Sequence, residues 1–162
     1  MLNIFRFSGY PANKGRQSGF TLLEVLVAIV VLSIGLLGLA GLMASSMRNN
    51  QSAYQRTQAT WLAYDVIDRM RVNRAVALTE RYDIPLATAI SPFSGLAKQD
   101  IDDWKATLAR ALPAGDGSVD VTPDTRAVTV IIQWNDSRGT GGDTVDTRIG
   151  KSAQQFRVDT QL

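Results

Sequence analysis

The residues whose types and positions best suit a chemical role lie where a short basic segment meets a long apolar one. Gly19 and Phe20 stand at this junction, and Glu24 follows as an isolated acid among apolar residues. Glycine has no Cβ atom and lets another backbone approach closely, as cleavage by a protease requires. A carboxylate in a membrane segment is costly to insert, and such residues usually have a function. The alternative is that Glu24 lies near lipid headgroups and stabilises the helix N-terminus through the helix dipole.

The composition excludes several kinds of active site. The chain has 162 residues but no Cys and no His, which rules out a disulfide scaffold, Cys-ligated zinc, a Cys nucleophile and a His-dependent triad. Asp100, Asp102 and Asp103 form an acidic cluster at the start of a predicted helix, Gln99–Leu112. Acids are favoured in the first helical turn, which explains this cluster better than a metal site does. We therefore expect no metal, no cofactor and no enzymatic activity.

The apolar segment is long enough to span a membrane. Residues 25–44 contain no charged residue, and about 20 apolar residues in a helix cross the hydrocarbon of a bilayer. A cleaved secretory signal ending before Ser45 is the alternative, but its apolar core would be shorter and would end in an A-x-A-like site. Residues 1–19 hold three of the 17 Lys and Arg residues and none of the 15 acids. The positive-inside rule places these residues in the cytoplasm and the C-terminus outside it, and no direct nucleic-acid binding is expected.

The helix is predicted to continue past the membrane segment, from Phe20 to about Asn73. Residues 53–74 contain neither Gly nor Pro, and their apolar residues recur at spacings of a single helix face: Ala59, Leu62, Ala63, Val66 and Met70. The apolar half contains three glycines at intervals of three: Gly35, Gly38 and Gly41. They indicate either close packing against other helices or a locally weak helix, since each Gly costs about 1 kcal/mol relative to Ala.

The remaining chain is predicted to form a small head. Irregular structure over residues 75–97 and the short helix precede three strand-like runs whose apolar residues alternate with polar ones: 119–122, 128–134 and 156–162. The predicted fold class is α+β, a long N-terminal helix packed against a small antiparallel sheet of about three strands. The expected domains are a cleaved leader, a transmembrane and assembly helix, the amphipathic half of that helix and a globular head: 1–19, 20–48, 49–73 and 74–162.

A loop rich in Gly, Thr and Asp is predicted between the last two strands, from Asn135 to Lys151. Asp136, Asp143 and Asp146 are candidate calcium ligands, but the EF-hand spacing is absent. We therefore favour a solvated hairpin loop, which would offer a natural surface for partners.

The segment from Ser18 to Ala28 resembles the signal of type IV prepilins and pseudopilins. In that superfamily a basic leader ends in Gly, prepilin peptidase removes it on the cytoplasmic side, and the new N-terminal Phe is methylated. A Glu occupies the fifth mature position. The resemblance implies cleavage between Gly19 and Phe20, methylation of Phe20 and a role in assembly for Glu24.

Within this superfamily, residues 15–75 are most similar to the PilV type of minor pilin, the type IV pilus modification proteins. Three stretches carry the similarity: 34–42, 50–59 and 62–73. The 19-residue leader is longer than that of many major pilins, which leaves the true start codon open. The Cys pair of many major pilins is absent, which argues against the bulk fibre subunit.

The resemblance implies a structural subunit that initiates pilus assembly and supports adhesion, twitching motility or DNA uptake. Its expected partners are prepilin peptidase, other minor pilins, the major pilin, a tip adhesin and inner-membrane lipid. The precursor would cross the inner membrane once, with its C-terminus in the periplasm, and the mature protein would lie near the pilus tip. The main alternative is a minor pseudopilin of type II secretion. A signal-anchored periplasmic binding module is a further alternative, although no convergent polar site is visible.

Overall fold

The computed structural model describes residues 19–139 and 153–162. The chain divides into two units, Met1–Gly41 and Leu42–Leu162. The first unit holds the start of a long helix, and the second holds the rest of that helix, two shorter helices and a sheet. In chain order the elements are α1 (Leu22–Val72), α2 (Arg74–Ala77), α3 (Leu96–Ala111), β1 (Asp116–Thr122), β2 (Ala127–Asn135) and β3 (Ala153–Gln161).

Helix α1 begins with a side-chain cap. The hydroxyl of Thr21 accepts a hydrogen bond from the backbone N–H of Glu24 at 3.2 Å. This bond satisfies one of the amides that a helix N-terminus leaves without a partner. The predicted helix from Phe20 to about Asn73 is confirmed. It begins two residues later and ends one residue earlier than predicted.

In the second unit, one face of α1 is buried. All five residues of the predicted apolar face are buried, together with three that the pattern did not include: Ser52, Gln55 and Ile67. On the outer surface, Asp65 pairs with Arg69 at 3.0 Å and Asp68 pairs with Arg71 at 2.8 Å. This half of α1 is therefore amphipathic, with apolar side chains inside and ion pairs outside.

The three predicted strands form one antiparallel sheet in the order β1-β2-β3. Val119 of β1 lies opposite Val130 of β2, which lies opposite Val158 of β3. The inward residues of the central strand are fully buried and supply most of the sheet's share of the core: Val128, Val130, Ile132 and Trp134. The α+β fold class, with the long helix and a small three-stranded sheet, is confirmed.

Helix α3 begins at Leu96, three residues before the predicted start. Asp100, Asp102 and Asp103 therefore do not lie in its first turn, which contains no acid. The explanation of this cluster by helix-start preference was wrong, because at least two of its acids bind other groups.

Asp100 and Asp102 have separate structural roles. Asp100 accepts a hydrogen bond of 2.6 Å from the Tyr82 hydroxyl. The pKa of Tyr82 is raised to about 12, mainly by burial and secondly by this hydrogen bond. Asp102 accepts hydrogen bonds from Lys98 and from the backbone N–H of Ser91, and these bonds lower the pKa of its carboxyl group. These acids anchor the segment that precedes α3.

The segment predicted to be irregular contributes to the core. Tyr82 and Ile84 are fully buried, and the backbone of Ile84 pairs with that of Val119 on the outer edge of β1. The buried Lys105 pairs with Asp116, which also accepts a hydrogen bond from the backbone N–H of Ala87. Burial would raise the pKa of Asp116, but these bonds lower it below its ordinary value. The segment is therefore fastened to both α3 and β1.

Asp136 does not lie in a solvated loop as predicted. Its side chain is buried, and Oδ2 accepts a hydrogen bond of 2.7 Å from the hydroxyl of Ser52 on α1. Asp136 directly follows β2, and this bond joins the end of the strand to α1. The other two acids of the predicted loop, Asp143 and Asp146, lie outside the described residues.

Candidate functional site

The predicted cleavage site lies immediately before α1. Gly19 and Phe20 precede the helix and are exposed. A Cβ atom added to Gly19 would meet no other atom within 4 Å. Packing within the described chain therefore gives no reason for a glycine at this position, whereas close approach by an external protease gives one.

Glu24 lies in the first turn of α1, four residues after Phe20. Phe20 and Glu24 line one shallow surface groove of the helix together with apolar residues of the next two turns: Val25, Ala28, Ile29 and Leu32. Glu24 thus lies on the same side of the helix as Phe20, the predicted new N-terminal residue, among otherwise apolar residues. The position also suits a helix-start acid, because the N-terminal end of the helix dipole favours negative charge.

The apolar part of α1 is uncovered. Every residue from 19 to 51 is exposed, and Phe20 and Leu22 expose 85% and 84% of their surface. The helix meets the requirements of length and composition for a membrane span, and none of its apolar window is buried within the chain. An apolar surface of this extent indicates contact with lipid or with other proteins.

The three glycines of this segment are not required by packing within the chain. A Cβ atom added to Gly35, Gly38 or Gly41 would meet nothing within 4 Å, and α1 continues through all three positions. Contact with helices of other chains and local weakness of the helix remain the two explanations of these glycines.

A second exposed surface was missed by the sequence analysis. Tyr54, Trp61 and Tyr64 lie outside the buried face of α1, and Trp61 exposes 67% of its surface. Tyr54 and Trp61 are seven residues apart, about two helical turns, and therefore lie on one face. The seven-residue spacing of Tyr54 and Trp61 is the sequence signal for this surface. We call these three residues the aromatic surface.

The described residues contain no metal-binding group of three or more Asp or Glu side chains. Asp116 and Asp102, for example, form ion pairs with Lys105 and Lys98.

Comparison with known proteins identifies one feature of the chain. Residues 14–40 match the prokaryotic N-terminal methylation motif. No curated protein and no solved structure matches the chain. The matched range includes Gly19, Phe20 and Glu24, together with two of the three helix glycines.

The motif supports a type IV pilin-like or pseudopilin-like protein of the superfamily that the sequence indicated. It implies processing by prepilin peptidase and assembly with other pilins, and its family is structural rather than enzymatic. Together with the apolar N-terminal helix, it fits a precursor that is anchored in the membrane by a single pass.

Proposed function

We propose that this chain is a minor type IV pilin of the PilV type. Prepilin peptidase cleaves the precursor between Gly19 and Phe20, Phe20 is methylated, and α1 packs into a fibre. The subunit has a structural role and acts with other minor pilins and the major pilin to initiate assembly. It lies near the pilus tip, where a tip adhesin would be its neighbour, and the fibre serves adhesion, twitching motility or DNA uptake.

The observation that carries this proposal is the uncovered apolar half of α1 immediately after Gly19 and Phe20. A soluble protein would bury such a helix, and an ordinary signal peptide would be shorter. A helix that first crosses the membrane and then packs among similar helices accounts for both the exposure and the methylation motif.

In this proposal each part of the chain has a distinct role. Residues 1–19 are the cytoplasmic leader, and 20–48 form the membrane and assembly helix. The amphipathic half, 49–73, holds the head, 74–162, in the periplasm. The positive charges before the apolar segment support this orientation.

Glu24 sets the axial register of assembly in this proposal. Cleavage gives Phe20 a free amine, and an amine on an incoming subunit pairs with the Glu24 carboxylate of its neighbour, or the pair forms within one chain. Opposite charges attract more strongly among apolar side chains than in water, although desolvation offsets much of the gain. Only processed subunits would then be admitted to the fibre.

Two substitutions test this role. Glu24→Gln keeps the shape and removes the charge, and Glu24→Ala removes both. We expect cleavage and membrane insertion to persist in both variants, while incorporation falls about tenfold, equivalent to about 1.4 kcal/mol. The measurement is the amount of the subunit in sheared fibres relative to the membrane fraction.

Ser33→Ala is a matched control in the same apolar helix. The Ser33 hydroxyl bonds to the backbone carbonyl of Ile29 at 2.7 Å, so its loss removes a polar group without touching the proposed ion pair. We expect this variant to enter fibres like the wild type. Wild-type incorporation of both Glu24 variants would return Glu24 to the role of a helix-start acid.

The second candidate is a minor pseudopilin of type II secretion, because the methylation motif fits both classes. Deletion of the gene separates the two. Loss of surface pili with normal protein secretion supports the pilin, whereas retained pili with a secretion defect supports the pseudopilin.

A further inference from the structure

The aromatic surface of α1 continues a line of exposed methionines along the helix. Met43, Met47, Tyr54 and Trp61 follow one another at intervals of four, seven and seven residues, which places them within about 40° of one another around the helix axis. All four are exposed, and Tyr64 flanks them one turn after Trp61. None of them belongs to the buried face, so the helix has a second apolar side that the second unit leaves uncovered.

The chain around the aromatic surface is almost uncharged. Residues 49–64 contain one charged residue, Arg56, and no acid. Arg56 is two residues after Tyr54 and lies about 160° away around the helix. Thr57, beside the aromatic residues, donates its hydroxyl to the backbone carbonyl of Ala53 at 3.0 Å, which satisfies this group within the helix. A surface rich in Trp, Tyr and Met and poor in charge has the composition of the core of a protein–protein interface.

Lipid does not account for this surface. Trp61 lies 13 residues after Arg48, the first charged residue beyond the apolar segment, which is about 20 Å along the helix. The headgroup region extends only about 5–8 Å beyond the hydrocarbon. A usual tilt of about 20° shortens the height of Trp61 above the membrane by only about 1 Å. The aromatic surface therefore requires a protein partner.

We propose that the aromatic surface is a contact for the α1 helix of a neighbouring pilin-like subunit. This inference rests on the proposed assembly of α1 into a fibre, and it extends the assembly contact beyond residues 20–48. Met43 and Met47 belong to the stretch in which every residue is exposed. A neighbouring helix that packs against them continues alongside Tyr54 and Trp61, because the four residues follow one line along a continuous helix.

The aromatic surface is too small to hold this partner by itself. Each of its three side chains exposes at least half of its surface, which amounts to roughly 350 Å² in total. A stable interface buries about 800 Å² on each partner. Apolar helices that already lie together raise the effective concentration of the neighbour and supply the remaining contact area. The contact therefore forms within the assembly and not between isolated heads.

Site-specific photo-crosslinking identifies what lies against the aromatic surface. The photoreactive residue p-benzoylphenylalanine takes the place of Tyr64 in the full-length protein, which keeps an aromatic ring at this exposed position. In a control protein the same probe takes the place of Arg56, which is exposed on another side of α1. Cells are irradiated, and mass spectrometry identifies the adducts in sheared fibres and in the membrane fraction. We expect the probe at position 64 to capture the N-terminal helix of another chain with the methylation motif, and the probe at position 56 not to capture it.

A pair of variants measures what the contact contributes to assembly. Trp61→Ser removes the largest side chain of the aromatic surface, and Arg56→Ser is the control on another side of the helix. We expect Trp61→Ser to lower incorporation into sheared fibres about tenfold, as for the loss of a central interface tryptophan, and Arg56→Ser to enter like the wild type. Equal amounts of processed protein in the membrane fraction verify that both variants are made and inserted.

Two results would overturn this inference while the proposed function stands. One is a wild-type chain in fibres whose probe at position 64 captures only lipid or the head of a neighbour. The other is undiminished incorporation of Trp61→Ser. Absence of the wild-type chain from fibres would instead overturn the pilin assignment, and the adduct found in the membrane fraction would then decide the contact separately.

Discussion

The two halves of α1 have the same backbone geometry but opposite surroundings. Apart from Glu24 and Ser33, residues 22–41 are apolar, and all of them are exposed, whereas from Ser52 to Met70 buried residues that are mostly apolar alternate with exposed ones. Only the second half finds its partners within the described chain. A regular helix therefore does not show by itself whether its apolar side chains have packing partners within the chain. The exposure of the first half indicates a partner outside the chain.

Removing the first half should give the largest effect on the behaviour of the protein. A chain of residues 49–162 keeps every buried residue of α1 and loses the apolar segment. We expect it to change from a membrane-bound protein to a soluble, folded monomer. Circular dichroism and size-exclusion chromatography measure this change.

The aromatic surface provides the control for this experiment. If folded residues 49–162 still associate, Trp61→Ser and Tyr64→Ser should restore the monomer, because both side chains are exposed on α1. Association that persists in this double variant would contradict the division of α1 into a half that lacks packing partners within the described chain and a half that has them.

Within the second unit, two tryptophans, Trp104 on α3 and Trp61 on α1, should differ strongly in their effect on stability. Trp104 is fully buried, and a Cβ atom added to Gly117 would lie only 2.5 Å from its Cη2 atom. Trp104→Ala should lower the free energy of unfolding by about 3–5 kcal/mol. Trp61→Ala, on the exposed side of α1, should change it by less than about 0.5 kcal/mol.

Denaturant unfolding of residues 49–162 measures both changes. Similar losses from the two tryptophans would mean that the exposed side of α1 is also packed in solution.

Asp83 should give a smaller, pH-dependent effect confined to the head. Burial is the main reason that its pKa rises to about 6 from 3.8, and the nearby Asp120 and Glu80 add to the rise against a hydrogen bond from the N–H of Val121. The folded state therefore holds this proton more tightly than the unfolded state does. Its stabilising contribution is complete below pH 3.8 and is lost as the pH rises through about 6.

Asp83→Asn removes this titration and keeps an oxygen that can accept the hydrogen bond from Val121. As the pH rises from 4 to 7, we expect the Tm of the wild type to fall by a few degrees relative to the Tm of the variant. A constant difference in Tm across this range would show that Asp83 does not titrate there.

The sequence predicted features that depend on local periodicity. The buried face around Val66 and the alternating strand of Val130 followed from spacing alone. The motif at Gly19 and Phe20 was also visible, and its match to the methylation motif supports the reading of this segment.

Features that depend on distant contacts were not predictable. Tyr82 and Ile84 occupy a segment without regular periodicity, and their burial depends on pairing with α3 and β1. Asp136 resembled a loop acid because nothing local indicates its bond to Ser52, 84 positions away in the sequence. Asp100 was assigned to a helix start by composition, whereas its partner is a tyrosine outside the helix.

The central claim is that the uncovered half of α1 begins a processed subunit that enters a fibre. The most direct test is the intact mass and N-terminal sequence of the protein recovered from sheared surface fibres. The account predicts a chain that begins at Phe20 and carries one added methyl group, and an uncleaved precursor for Gly19→Val, because a β-branched side chain obstructs the approach of the peptidase. A wild-type protein that retains Met1, or one that begins at Ser45, would contradict it.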